Sequence, residues 1–271
     1  MKRLFIVVFG LIGFSMRLDA QPEKSGTIQF ESTFDPAVLT AANGIKLSSE
    51  ATARIPKSSV NSFELKFDQL HASYKQQDTP GSDRQKRNRR YNGLGLFGGG
   101  LSRDYYYNFE DHRLIQAFDL NDTLFLMEDK MGMLPEMRFG SGQLLPVIEY
   151  TPSDEVRQIL GFTCYKVIAK TTVKHHIGGI EREVIDRYSF WYTNELGFDF
   201  SPNPVLWTGG AVLAIEGKGV DVKAISLKYH NVNVEDLNLP KAGVAINQEQ
   251  LRTKLDLRRK QTRLSRIGFW N

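Results

Sequence analysis

The sequence predicts a mainly β protein, an antiparallel sheet followed by one C-terminal helix. Three observations carry that expectation. Apolar and polar residues alternate with period two in one stretch after another, as a sheet with one buried and one wetted face requires. Helical periodicity is confined to the end of the chain. After the first twenty residues, no uncharged apolar run approaches the roughly 20 residues that a membrane-spanning helix needs.

The N-terminus comes first. Lys2 and Arg3 precede an uncharged apolar run over residues 4–14, and Arg17 closes it. A positive start and a short apolar core make residues 1–20 a secretory signal peptide, with cleavage expected between Ala20 and Gln21. The protein is therefore expected outside the cytoplasm, in the periplasm or at the outer membrane. The only cysteine, Cys164, is far from the new N-terminus, so no lipid anchor is expected there. A lone cysteine makes no internal disulfide, and its neighbours Phe162, Tyr165 and Val167 point to burial. The 271 residues less this 20-residue signal are enough for one domain with a full core. The whole chain has 35 basic and 31 acidic residues; losing Lys2, Arg3, Arg17 and Asp19 leaves 32 and 30. Such a balance excludes a general nucleic-acid binder.

Strands follow over residues 21–239. In Phe63, Glu64, Leu65, Lys66, Phe67 and Asp68 every apolar side chain falls on one face. Tyr165, Val167 and Ala169 alternate with Lys166, Ile168 and Lys170; Tyr188, Phe190 and Tyr192 alternate with Arg187, Ser189 and Trp191. Ile225, Leu227 and Tyr229 alternate with Ser226, Lys228 and His230. Further strands are expected at residues 27–33, 47–54, 105–108, 114–118, 123–128 and 211–216. Such a sheet must cover its apolar face with a helix, a second sheet or a bound partner.

Residues 77–103 interrupt the strands. A turn-rich opening leads to Arg84, Lys86, Arg87, Arg89 and Arg90, then to a glycine-rich stretch holding Leu94, Leu96 and Phe97. The expectation is a long mobile loop. Gly93, Gly95 and Gly98 spell a dinucleotide fingerprint, but no strand leads in and no helix follows to hold a pyrophosphate, so no nucleotide cofactor is expected. Arg84, Lys86, Arg87, Arg89 and Arg90 beside Leu96 and Phe97 are candidate surface-contact residues for an anionic lipid layer. The competing reading is a solvated loop.

The helix spans 248–267, within an appendage formed by residues 240–271. Asn247 is its cap and Gln250 stands at the capping-box position. Leu251 and Leu255 share a face, and seven basic residues oppose Asp256 alone between Arg252 and Arg266.

Catalytic and metal chemistry find little footing. His175 and His176 are adjacent, and neighbours on a strand point to opposite faces, so they do not share a metal. No strained serine turn occurs and Cys164 lies in mid-strand. Asn121, Asp122 and Thr123 form either a glycan acceptor or a tight turn, and the turn is the expectation.

One series resembles a known family. Ile159-Leu160-Gly161-Phe162-Thr163-Cys164-Tyr165-Lys166-Val167 is followed by Phe190-Trp191-Tyr192-Thr193-Asn194-Glu195-Leu196. An apolar stretch then opens with Trp207-Thr208-Gly209-Gly210. Over residues 147–219 this resembles the secreted GLPGLI family of Bacteroidetes. The resemblance implies an exported protein with a curved antiparallel sheet, a half-barrel or open barrel like that of periplasmic lipoprotein carriers. It implies structural roles for Gly161, Cys164, Trp191, Tyr192, Gly209 and Gly210, and no catalytic residue. The functional expectation is a non-enzymatic binding or scaffold protein of the cell envelope, sheltering an apolar ligand or a partner segment; the alternative is a secreted hydrolase with a dispersed site. Expected partners are a lipid or an envelope protein, with peripheral membrane contact and without metal or cofactor.

Overall fold

The computed structural model describes residues 25–35, 37–38, 48, 50, 58–77, 103–131, 147–177, 180–204, 206 and 209–267. Its strands are β1 (Gly26–Phe34), β2 (Ser59–Phe67), β3 (His71–Gln76), β4 (Asp104–Asn108), β5 (Arg113–Leu120) and β6 (Thr123–Lys130). They continue with β7 (Val147–Ile159), β8 (Phe162–Ile177), β9 (Ile180–Thr193), β10 (Ala211–Gly217), β11 (Val220–Tyr229) and β12 (Val244–Ala245). The described helices are α1 (Val234–Leu237) and α2 (Gln248–Ile267), besides isolated helical positions at 37–38 and Glu50.

All twelve strands join one open sheet in the order β12-β6-β5-β4-β3-β2-β1-β11-β10-β9-β8-β7. Every pairing is antiparallel except that of β12 with β6. Two meanders, β1 to β6 and β7 to β11, are thus stitched together by β1 on β11. Two hairpins turn on pairs of left-handed residues, Asn121 (φ 53) with Asp122 (φ 60) and Leu160 (φ 53) with Gly161 (φ 87). Two-residue loops of that conformation match the twist of the strands they join. The Asn121–Asp122 pair is therefore the expected tight turn.

Register sorts the side chains onto two faces. Ile28 and Phe30, Leu65 and Phe67, Ala72 and Tyr74, and Tyr107 and Leu114 all fall on one side and are buried. This apolar face is divided into three zones. Over β1 to β4 it is covered by the connection between β9 and β10. Phe198 lies 4.9 Å from both Phe67 and Phe109, while Phe200 lies 5.3–5.6 Å from Tyr74, Tyr107 and Phe30. The Ser201 hydroxyl sits 2.8 Å from the Asn203 carbonyl and 2.7 Å from that of Leu206, sharing its proton between them. Tyr107 donates to the Ser201 carbonyl at 3.3 Å.

Over β5 and β6 the cover is α2. The Asn247 side chain accepts the Gln250 N–H at 2.9 Å and the Gln250 side chain accepts the Asn247 N–H at 3.0 Å, closing the expected capping box. Leu251, wholly buried, and Leu255 pack on Phe118, Phe125 and Met127. In the third zone, over β7 to β9, Val167, Ala169, Tyr188 and Phe190 are buried, whereas Tyr150, Pro152, Val156 and Tyr165 nearer the edge are exposed.

The chain reaches α2 by wrapping the sheet's edge. On the polar face Asp236 of α1 accepts from Lys66 at 2.7 Å, and its carbonyl accepts from Lys75 at 3.3 Å. Gly243 then passes so close to Leu126 that a Cβ there would lie 2.4 Å from Leu126 Cγ.

The strands expected at 27–33, 63–68, 105–108, 114–118, 123–128 and 211–216 are present, as is the C-terminal helix. β3, β7 and α1 were not anticipated. The expected strand at 47–54 falls outside the described residues except for Ser48 and Glu50, and Glu50 is helical. Just before the helix, Val244–Ala245 pairs with β6.

Candidate functional site: an open groove at the uncovered end of the sheet

β7, β8 and β9 place one residue each at matching heights on the apolar face. Pro152 lies opposite Val167, and Val167 opposite Phe190; Val156, Tyr165 and Tyr192 form the next row. Phe190 is wholly buried, whereas Tyr150 is 42% exposed and Tyr165 45%. The Tyr165 and Tyr192 rings lie 6.1 Å apart, tilted by 45°.

Between this platform and the covering connection runs an open groove of about 470 Å³. Tyr150, Pro152, Val167 and Tyr192 form its apolar wall; Asn194, Asp199, Gly209 and Gly210 form the opposite lip. The lip is held by a tight local fit. Asp199 Oδ1 accepts the Gly210 N–H at 2.7 Å, and the Phe200 N–H donates to the Gly210 carbonyl at 3.2 Å. Gly210 has φ 89, and a Cβ on it would lie 2.4 Å from Asn194 Oδ1 and 2.7 Å from the Thr193 carbonyl. Only glycine meets both demands. Chemically the groove offers aromatic and aliphatic surface along one side and one carboxylate with one amide along the other.

The edge beside the groove is guarded. β7 ends the sheet, and an exposed strand edge invites pairing with other chains. Pro152 withholds an N–H there, and the register slips between Pro152 and Val156 in an irregularity carrying Asp154 and Glu155.

On the opposite face the same three strands, with β10, build a charged cluster around Trp191. Its indole N–H donates to Glu216 Oε2 at 3.1 Å, and Arg157 donates to Glu216 Oε1 at 2.6 Å. The Arg157 guanidinium stacks 4.0 Å from the Trp191 ring centre and the Lys166 ammonium lies 5.5 Å from it. Lys166 in turn pairs with Glu155 at 2.6 Å. Burial pushes the Glu216 carboxyl up, but the bonds from Trp191 and Arg157 and the charges of Arg157 and Lys166 outweigh it and hold it below the usual range. Cys164 is buried beside Arg157, and burial pushes its thiol up to about 11, which leaves it an unreactive packing residue.

A second polar assembly lies where α2 meets the sheet. Arg103 donates to Gln116, and both Gln116 and Gln248 donate to Asp129. Burial pushes the Asp129 carboxyl up, opposed by the bonds from Gln248 and Gln116 and by the charge of Arg103.

Of the residues singled out in the sequence, Tyr192, Gly209 and Gly210 come together in the groove. Trp191 and Cys164 face the other way, and Gly161 sits in a hairpin turn remote in register from the groove's Pro152. Arg84, Lys86, Arg87, Arg89, Arg90, Leu96 and Phe97 lie outside the described residues. The sequence reading missed Tyr150, Pro152, Asn194 and Asp199 as lining residues. Only the alternation of Phe198 and Phe200 hinted that Asp199 points away from the core. Among the described residues no three His, Cys, Asp or Glu side chains are grouped to hold a metal ion, and no helix is long and apolar enough to cross a membrane.

No family model and no curated protein matches the chain. Two solved structures of PNGF-II, in space groups C2 and P21, are similar to it at 15% and 13% identity, each with a TM-score of 0.48. The alignments cover 86% and 85% of this chain and 32% and 33% of theirs, so the chain spans about a third of the length of the structures it matches.

Proposed function

We propose that this is an exported, non-enzymatic binding or scaffold protein of the cell envelope, related to the GLPGLI type, whose groove shelters an apolar ligand or a segment of a partner protein. The observation that carries the reading is the division of the apolar face. The chain covers two of its three zones with its own residues; in the third it leaves Tyr150 and Pro152 exposed and Tyr192 half-buried along the groove, beside the buried Val167. Exposed apolar surface gathered into a concave site, with a few polar groups along one side, is the usual form of a recognition site. Asp199 and Asn194 suit the orienting of a ligand; a two-carboxylate acid–base reaction needs a second acid, and Asp199 is the groove's one described carboxylate.

The test is co-purification. The protein, expressed in a periplasm and purified without detergent, is expected to carry a stoichiometric lipid or protein segment in native mass spectrometry. The exposed Tyr150 can be changed to Ala with little effect on folding, and Tyr150→Ala is expected to lose that companion. A wild-type protein that emerges empty, or a companion that Tyr150→Ala retains in full, overturns the assignment.

A further inference from the structure

The groove does not involve α2, and α2 raises a separate question. Among its described side chains, the apolar anchor lies in the first two turns: Leu251 is wholly buried and Leu255 partly so, while Leu257 is exposed. A 20-residue helix is about 30 Å long, so most of it extends past that anchor. The reason lies in the sequence. Continuing the Leu251 and Leu255 face by steps of three and four leads to Arg258, Arg259, Thr262 and Arg266, which an apolar sheet face does not accept.

The charge of the chain is also segregated. Residues from Arg252 to Arg266 include Arg252, Lys254, Arg258, Arg259, Lys260, Arg263 and Arg266 against Asp256. Taking those seven and that one from the 32 basic and 30 acidic residues beyond residue 20 leaves 25 basic against 29 acidic. A basic arm is mounted on an acidic body. Its apolar residues past the anchor are few but ordered. Leu257, Leu264 and Ile267 recur at spacings of seven and three, a helical stripe distinct from that of Leu251 and Leu255. Leu257, whose surroundings are described, is 54% exposed.

We propose that α2 beyond Leu255 is a peripheral membrane-attachment element that lies on an anionic lipid surface. The basic side chains would meet the headgroups, and Leu257, Leu264 and Ile267 would enter the boundary layer. A helix with a thin apolar stripe and a dense basic surround, low in mean hydropathy, is the form that binds at a membrane interface rather than across it. The acidic body sets the orientation, because the same anionic surface that attracts the arm repels the rest. The sheet is then held at the membrane by its β6 end, with the groove at the β7 end pointing away.

The purified protein is mixed with vesicles of phosphatidylcholine alone or of phosphatidylcholine with phosphatidylglycerol, and sedimented. Binding is expected only to the second kind and is expected to weaken as salt rises. The triple variant Lys260→Glu, Arg263→Glu, Arg266→Glu is expected to lose affinity roughly a hundredfold, since each basic residue near such a surface contributes about fivefold. Leu257→Asp is expected to weaken binding too, while both variants keep the wild-type unfolding midpoint because the anchor turns are untouched. Equal binding to neutral vesicles, or a triple variant that binds as well as wild type, overturns the proposal. Binding that survives in the triple variant but is lost on reversing Arg87, Arg89 and Arg90 moves attachment to another segment and overturns it as well. So does binding to heparin or duplex DNA as tight as to vesicles together with an unaffected Leu257→Asp, which marks a general polyanion site. None of these outcomes bears on ligand retention by Tyr150→Ala, so the groove assignment stands or falls by itself.

Discussion

Gly210 and Gly161 both hold left-handed backbone, but their surroundings differ. A Cβ on Gly161 meets nothing within 4 Å, so Gly161→Ala carries only the backbone strain, about 1–2 kcal/mol. Gly210→Ala adds clashes with Asn194 Oδ1 and the Thr193 carbonyl. It is expected to cost several kcal/mol more than Gly161→Ala, about 3 or above, in urea titrations, and to dislodge the groove's lip. Glu216 yields a second prediction. Its folded pKa is depressed, so its contribution is present above the usual carboxylate range and is lost as pH falls through the depressed value. The group is half exposed, which limits the effect. Glu216→Gln is expected to lower stability by about 0.5–1 kcal/mol at neutral pH, and the gap should close in acid. A gap that is constant with pH would show that packing, not charge, is at work. Asp129 has the opposite sign: its pKa is raised by burial, so the stability linked to it is present below the usual range and is lost as pH rises through the raised value.

At the scale of elements, the connection between β9 and β10 behaves as an internal cover rather than as a loop. Phe200 is wholly buried against three aromatic rings from β1, β3 and β4. Phe200→Ala is expected to cost about 3–5 kcal/mol in chemical denaturation and to raise binding of a hydrophobic dye. A loss below about 1 kcal/mol would mean that the cover is not part of the core. The sequence showed this element poorly because Pro202, Asn203, Pro204, Gly209 and Gly210 surround Phe198, Phe200 and Leu206, and turn residues dominate any reading by period. β1, β2 and β8 to β11 were legible because each buries one face, and burial is what writes alternation into a strand. β7 was not, since an edge strand with Pro152 and several charges buries almost none of its side chains. β3 presents only Ala72 and Tyr74 to the core among polar neighbours, too short a pattern to recognise. The capping box of α2 was legible because its two side chains and two N–H groups are local in sequence.

For the whole molecule, the sheet's three zones explain why the site could not be read in advance. Tyr192, Gly209 and Gly210 stood out in the sequence, but their meeting with Tyr150 and Asp199 depends on how far the cover extends across the face. No period in the chain records that distance. The seam between β1 and β11 has a further consequence, in the order of assembly. Each meander is made of neighbouring hairpins and can form locally, yet Gly26 must pair with Tyr229, across nearly the whole described chain. Closing so long a loop is the entropically slow event. β1, the first of the described strands, therefore lies at the centre of the finished sheet and waits, paired on one side only, until β11 arrives. Two separately expressed fragments, divided between β6 and β7, are accordingly expected to recombine through that seam and through the Phe200 contacts. Their association should follow second-order kinetics and should fail when Phe200 is Ala.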